Sequence, residues 1–515
     1  MDDDASARGE IMVRRIRELA RNLKAGQSGA GWALAQHLIT LASASPAPAG
    51  WALDSIGSDG WSRLDTELRN GTYMPGSVGP RGSALLGGVE RGETLAVLVA
   101  ACSGDGRVRE RAVTSPAMGA DPRLLPILVI RTADWAGPVR ERARLVLAGA
   151  LASADAAALI TALEMASRMR DWSRGRYALD VVTEALRTGR PETLAAARAA
   201  TDLRVRRMAY ELWTEPGRTD VDALVNAALT ETDLVCRTLS AEAAARHAVG
   251  TGSTEILQRL LAVRSSRVRL AALTGLVKIG RPEFGGAYLA DRTAMMRATA
   301  QWAMRRTGVD PAGSYRLMLG SGATVTPGMV AGLGDCGTAE DLDLLTGFLD
   351  HPRARVRADA VRAVRRLGGT LPQIATLLTD PSPAVVRAAT AALRTQSDPA
   401  PVEELFRLLG EDQPRHIRIG AHHRLADRDV WARMRADLLV LDSAEPVLRE
   451  RAHADLRNWL RRTPTSYAEP TQGTRDLLAP LIAAAAPALG EKTTRELRWH
   501  LGIRPREREA VRPIS

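Results

Sequence analysis

An apolar residue followed by arginine returns through most of this chain at a nearly fixed interval. The pair stands at Val108-Arg109, Val139-Arg140, Val205-Arg206, Cys236-Arg237, Val268-Arg269, Met296-Arg297, Val356-Arg357, Val386-Arg387, Ile417-Arg418 and Leu448-Arg449. Three residues after each arginine comes a small residue: Ala112, Ala143, Ala209, Ser240, Ala272, Ala300, Ala360, Thr390, Ala421 and Ala452. From Arg206 onward the arginines are 31, 32, 28, 60, 30, 31 and 31 residues apart. The interval of 60 is two periods, and a degenerate unit, "TVTPGMVAGLGDCG", puts Val330 at the small-residue position. The 66 residues between Arg140 and Arg206 hide another, "DWSRGRYALDVV", with Ala178 in register. Twelve units result. A unit of this length cannot bury its apolar face alone, so such a chain folds by stacking neighbours into a continuous core.

Each unit reads as two helices. A short apolar helix comes first, as in "EDLDLLTGFL" or "PVEELFRLLG". A turn follows, often carrying an aspartate: Asp105, Asp134, Asp202, Asp233, Asp291, Asp350, Asp380, Asp412 or Asp442. Aspartate at this place caps a helix, because its carboxylate accepts the free N–H groups of the first turn. Pro352, Pro383 and Pro414 stand in or beside that turn, where a missing N–H costs little. In the second helix Val356, Ala360, Val361 and Val364 share one side at helical spacing.

Composition agrees. Aromatic residues are 4% of the chain, and Ala, Leu and Arg, which favour helix, take the place of strand formers. The expectation is an all-α fold, an α-solenoid of about twelve two-helix repeats. It would span 89–464, between an N-terminal helical and loop region, 1–88, and C-terminal capping helices with a tail, 465–515. A solenoid needs such caps to cover its last apolar faces. The N-terminal region opens with a basic amphipathic helix, "GEIMVRRIRELARNLK". It continues through a Gly/Pro/Ser-rich tract holding Trp32, Trp51, Trp61 and "NGTYMPGSVGPRGS".

The unit "D-P-x-x-x-V-R-x-x-A-x-x-A-L" resembles the HEAT repeat, and most of all the short HEAT-like repeats of phycobilin lyases and related bacterial proteins. The resemblance covers about residues 89–464. It implies the solenoid fold and says little about activity, since one repeat class serves scaffolds, adaptors, lyases, hydroxylases and DNA glycosylases. It also implies ladders between the turn aspartate and the helix arginine of neighbouring units. Carried over, these involve Asp350, Arg357, Asp380, Arg387, Arg418 and Arg449.

Motifs for chemistry are scarce. The chain has no P-loop, no H-E-x-x-H and no C-x-x-C. "GLGDCG", Gly332 to Gly337, fits G-x-G-x-x-G, yet it follows a helical pattern and reads as a turn between two repeat helices. No His-Glu dipeptide occurs, a departure from the metal-dependent hydroxylases of this repeat class. Cys102, Cys236 and Cys336 are too dispersed for a disulfide framework or a zinc site. His422 and His453 occupy equivalent places on adjacent second helices, near His416 and His423. Without a carboxylate clearly in place, they read as stacked, partly buried polar residues rather than metal ligands. No catalytic residue, metal or cofactor is expected.

The net charge is +11 and the pI about 10.3, and all but three of the 70 basic residues are arginine. Arginines at the repeat position are expected to be architectural. Others are specific to one unit: Arg362 and the pairs Arg305-Arg306 and Arg365-Arg366, with Arg457 sharing the register of the first of each pair. With Trp302 these are the candidates for binding a partner or polyanion. Trp135, Trp172, Trp213 and Trp302 are otherwise expected in core or groove packing.

The leading expectation is a non-enzymatic scaffold or adaptor that presents a concave helical surface to a protein or peptide partner. One alternative is a nucleic-acid-binding solenoid resembling the HEAT-like alkylpurine DNA glycosylases, with Asp180, Glu211 and Trp302 as groove candidates. Another is a lyase or chaperone for a cofactor-bearing protein, on repeat type alone. The acidic start "MDDDASARGE" lacks the apolar core of a signal peptide. The longest apolar run, from Leu477, is short and broken by Pro480 and Pro487. A cytoplasmic protein with no membrane partner is expected.

Overall fold

The computed structural model describes residues 14–23, 25, 27, 29–44, 53, 56, 58–71, 80–369, 372–395, 400–462 and 469–503. Trp51, most of "NGTYMPGSVGPRGS", the start of the first basic helix and the C-terminal tail lie outside the described residues. Among the described residues the fold is all α, with short 3-10 turns and no strand. It is a solenoid of helical hairpins that divides into two compact units, Met1–His247 and Ala248–Ser515. No helix among the described residues is long and apolar enough to cross a membrane.

The repeat register becomes the core. The small residues three positions after each arginine are buried, as are Ala178 and Val330 of the two degenerate units. In the second unit the helices Pro327–Cys336, Ala354–Arg366, Pro383–Ala392 and Arg415–Arg428 pack side by side in chain order. Val356, Ala360, Val361 and Val364 are fully buried between them. Small side chains at the crossing let the helices approach closely, which is why the register tolerates little else.

The degenerate units show how close that approach is. "GLGDCG" is not the expected turn: Gly332 and Gly334 lie inside the helix Pro327–Cys336, with Gly337 at its end. A Cβ on Gly332 would sit 2.2 Å from the Tyr315 ring, and one on Gly334 would sit 2.4 Å from the Ala363 Cβ. The glycines serve packing between helices. In the first unit Gly175 precedes the helix Arg176–Thr188, where a Cβ would fall 1.8 Å from the Met169 carbonyl oxygen.

The turns are tied by aspartate and arginine together. Carboxylates of Asp105, Asp134, Asp202, Asp233, Asp291 and Asp380 each accept the N–H two residues on. Asp350 and Asp442 do not. There the next residue serves instead, with His351 Nδ1 accepting from Arg353 N–H and Ser443 Oγ from Glu445 N–H. The repeat arginine then reaches back over the turn. At Arg109, Arg140, Arg206, Arg237, Arg269, Arg297, Arg357 and Arg449 the guanidinium donates to the carbonyl six residues earlier, at 2.7–3.3 Å. These carbonyls lie where the first helix has ended and no backbone donor is available.

Several of the same arginines also hold an acid further along the chain. Arg109 grips Asp134 with two bonds of 2.9 and 3.0 Å, and both side chains are fully buried. Arg269 pairs with Asp291 at 2.8 Å, and Arg357 takes both oxygens of Asp380 with its Nε and Nη2 edge at 2.8 and 2.9 Å. Arg297 pairs with Asp335, which lies on the second helix of the next unit rather than in its turn. Among the described residues Asp350 forms no ion pair; the acid of Arg357 is Asp380, in the turn of the next hairpin. Arg418 bonds Leu409 O and Ser443 Oγ, and Arg449 bonds Ser443 O, so neither has an aspartate partner.

In the first unit the N-terminal helices close over the start of the array. Ser58–Gly71 packs on Leu125–Arg131, and Ala30–Ala44 on Thr94–Ala101. This explains why "LAVLVAA" and "LPILVIR" are buried all round rather than on one face. Asp65 contributes a carboxylate to Arg131, which also pairs with Asp134 at 3.0 Å. Arg109, Asp134, Arg131 and Asp65 thus form one buried, charge-balanced network. At the other end, in the second unit, Gln472–Ala484 packs on Val430–Val440 and Glu491–His500 on Gln472–Ala484.

Three outcomes follow from these contacts. Arg109→Ala leaves Asp134 buried with half its partners and should cost the first unit about 3–5 kcal/mol in urea denaturation, whereas exposed Arg457→Ala should stay within about 0.5 kcal/mol. Burial pushes the Asp134 carboxyl up, but the Arg109 hydrogen bond and the Arg131 charge together hold it below the ordinary value. Its contribution is therefore present above the unfolded carboxylate range near pH 4 and is lost as pH falls through the lower folded value. Asp134→Asn should accordingly flatten the acid limb of the stability profile. Gly332→Ala should destabilise by about 1–3 kcal/mol through its clash with Tyr315. Gly149→Ala, in the helix Gly137–Ser153 with open space around it, should instead stabilise by about 0.4–1 kcal/mol.

Candidate basic pocket

Most repeat arginines are consumed by turns and neighbouring acids, so the exposed guanidiniums left over mark where the surface can act. Arg305, Arg306 and Trp302 are exposed on the last turns of Ala294–Arg306. Arg457 is exposed on Pro446–Arg462. None of these four lines the pocket described next.

Arg362, Arg365 and Arg366 come together with Arg387 around a cavity of about 600 Å³ between Ala354–Arg366 and Pro383–Ala392. Ala388, Ala391 and Ala392 complete the lining. The arrangement follows from register. Arg362, Arg365 and Arg366 fall at helical spacing, with Arg362 and Arg366 on the exposed side and Arg365 at the border of the core face of Val361 and Val364. The next helix presents alanine at that place, and its small side chains leave the opening.

The four arginines are held differently. Arg362 is anchored by Asp359 at 2.6 Å, one turn back. Arg366 is anchored by Asp335, which also holds Arg297 at 2.8 Å. Arg365 is half-buried. Among the described residues Arg387 has no hydrogen-bond or ion-pair partner, and it is exposed. This is a correction to its expected place in the ladder. It makes neither the bond to the carbonyl six residues earlier nor the grip on an acid of the next hairpin that Arg357 makes with Asp380, and it lines the pocket instead. Sequence reasoning missed it because it carries the repeat register; the signal available was the double-proline turn "DPSP" before it, unlike the other turns.

The other candidates are structural or dispersed. His422 is fully buried, and its Nε2 lies 2.8 Å from Asp437 Oδ1. The carboxylate that the sequence did not place is thus Asp437. Burial pushes its carboxyl above the ordinary value, against the pull of His422. His423 contacts Arg451 at 2.9 Å, and burial together with that cation lowers its basicity. His453 is half-buried. Among the described residues no three His, Cys, Asp or Glu side chains converge to hold a metal ion. Cys236 is buried and its thiol is pushed up to about 12; half-buried Cys336, bonded to Gly332 O at 3.3 Å, goes up to about 11. Burial raises Cys102 likewise. None is an activated nucleophile.

Asp180 and Glu211 are exposed on separate helices. Trp135, Trp172 and Trp302 are more exposed than core packing predicts, at 66%, 41% and 39%. Trp213 is half-buried, with Arg198 stacked 3.9 Å over its ring.

Residues 342–426 match the family model described as HEAT repeats. No curated protein matches the chain. Among solved structures the chain is similar to importin beta, at 11% identity over 93% of this chain and 80% of that one, with a TM-score of 0.27. It is also similar to an engineered protein, at 17% identity over 86% and 98% with a TM-score of 0.17. A circular tandem repeat protein with a novel repeat topology matches at 14% identity over 94% and 96%, with a TM-score of 0.12. The arginine pocket, from Arg362 to Ala392, falls within the segment that matches HEAT repeats.

Proposed function

We propose that the chain is a non-enzymatic binding scaffold that docks an acidic segment of a protein partner at the pocket of Arg362, Arg365, Arg366 and Arg387. The observation that carries this reading is Arg387. A guanidinium that the repeat elsewhere commits to architecture is here exposed, without a partner, among three further arginines and no lining acid. HEAT repeats commonly serve protein interaction, which agrees with the reading. Carboxylates of a partner would meet preoriented planar forks there.

A second reading, binding of single-stranded nucleic acid, draws on Trp302 beside Arg305 and Arg306, an exposed aromatic with two exposed cations on one helix end. The pocket favours a compact anionic group over an extended stacked strand, because no aromatic residue lines it.

The test is fluorescence anisotropy with a labelled glutamate-rich peptide at low and physiological salt. Binding should weaken about tenfold or more in Arg387→Ala and stay within about twofold in Arg457→Ala, which lies outside the pocket. Binding that ignores Arg387 would sink the pocket assignment. Loss on Trp302→Ala with an oligonucleotide probe would favour the second reading.

A further inference from the structure

The charge around the pocket is not that of a surface made merely soluble. Two of its arginines are backed by acids of the protein itself, Asp359 behind Arg362 and Asp335 behind Arg366. Those acids fix the guanidiniums and offset part of their charge. Asp335 is moreover shared with Arg297, so it neutralises Arg366 only in part. Arg387 is not offset. The lining therefore keeps an excess of positive charge over one small opening, with an alanine floor that brings no acid.

A carboxylate carries one negative charge on two coplanar oxygens, so beyond one guanidinium fork it has room for only one or two further donors. A phosphate monoester carries up to two negative charges and three terminal oxygens, and can take several forks at once. We infer that the pocket is a site for a phosphate monoester, and that the anchoring group of the docked partner is a phosphorylated side chain. This deepens the scaffold reading above and rests on it. Asp359 and Asp335 act as positioning residues: they hold Arg362 and Arg366 open before the ligand arrives, which reduces the ordering cost of binding.

The probe is N-acetyl-O-phosphoserine amide, followed by its phosphorus resonance, with N-acetyl-glutamate amide as the carboxylate counterpart in competition. The phosphorylated probe should bind about tenfold more tightly than the glutamate one. Arg387→Ala should abolish that difference, and Arg387→Lys should restore only part of it, since ammonium lacks the planar fork. Affinity should rise between pH 5 and 7 as the phosphate gains its second charge near pH 6, because arginine does not titrate there. Equal affinity for the two probes would overturn the phosphate assignment and leave acidic docking standing. Failure of both probes, with no response of the glutamate-rich peptide to Arg387→Ala, would overturn both readings. Inorganic phosphate displacing the probe at equal concentration would show a free-anion site instead of a phosphorylated side chain. A short oligonucleotide that competes better than the phosphorylated probe would transfer the site to nucleic acid.

Discussion

A HEAT-like hairpin turns on few residues, and every turn leaves helix-end carbonyls without a backbone donor. In eight units of this chain one arginine meets that need. Its guanidinium reaches back six residues to a carbonyl of its own turn. In Arg109, Arg269 and Arg357 the remaining edge grips an acid of the following hairpin. A single side chain thereby closes one unit and docks the next. The planar fork with five donors is what makes this possible, and lysine could not replace it at the two-edged positions.

The same constraint generates the candidate site. Once turn carbonyls and acids are allotted to repeat arginines, any guanidinium without an allotment stands out. Arg387 is one: among the described residues it makes neither the turn bond nor the acid grip of the other repeat arginines. Its charge instead joins Arg362, Arg365 and Arg366 in the pocket.

Much of this was readable from the residues. The period, the buried small positions and the aspartate caps at Asp105 and Asp202 follow from spacing and capping chemistry. The cluster of Arg362, Arg365 and Arg366 was legible as unit-specific. Its fourth member was not, since Arg387 carries the repeat register and only its place in three dimensions sets it apart. Of the ladder that the resemblance implied, Arg357 with Asp380 of the next turn is present, whereas Asp350 has no such arginine among the described residues. The helical glycines Gly332 and Gly334 were read as a turn because composition cannot distinguish a glycine that bends the chain from one that admits a neighbour. The Asp437 partner of His422 was likewise invisible, lying on another helix fifteen residues on.

The buried network of Asp65, Arg131, Asp134 and Arg109 bears on how such a protein can change over time. Repeat arrays ordinarily lengthen or shorten by whole modules, because each module meets only its neighbours. Here the first modules share their ionic balance with a carboxylate from outside the repeats. Deleting Ser58–Gly71, or inserting a module beneath it, would strand Arg131 as a buried cation beside a single acid. This end of the array is therefore locked against module exchange, and variation in length is confined to places where the units depend on one another alone.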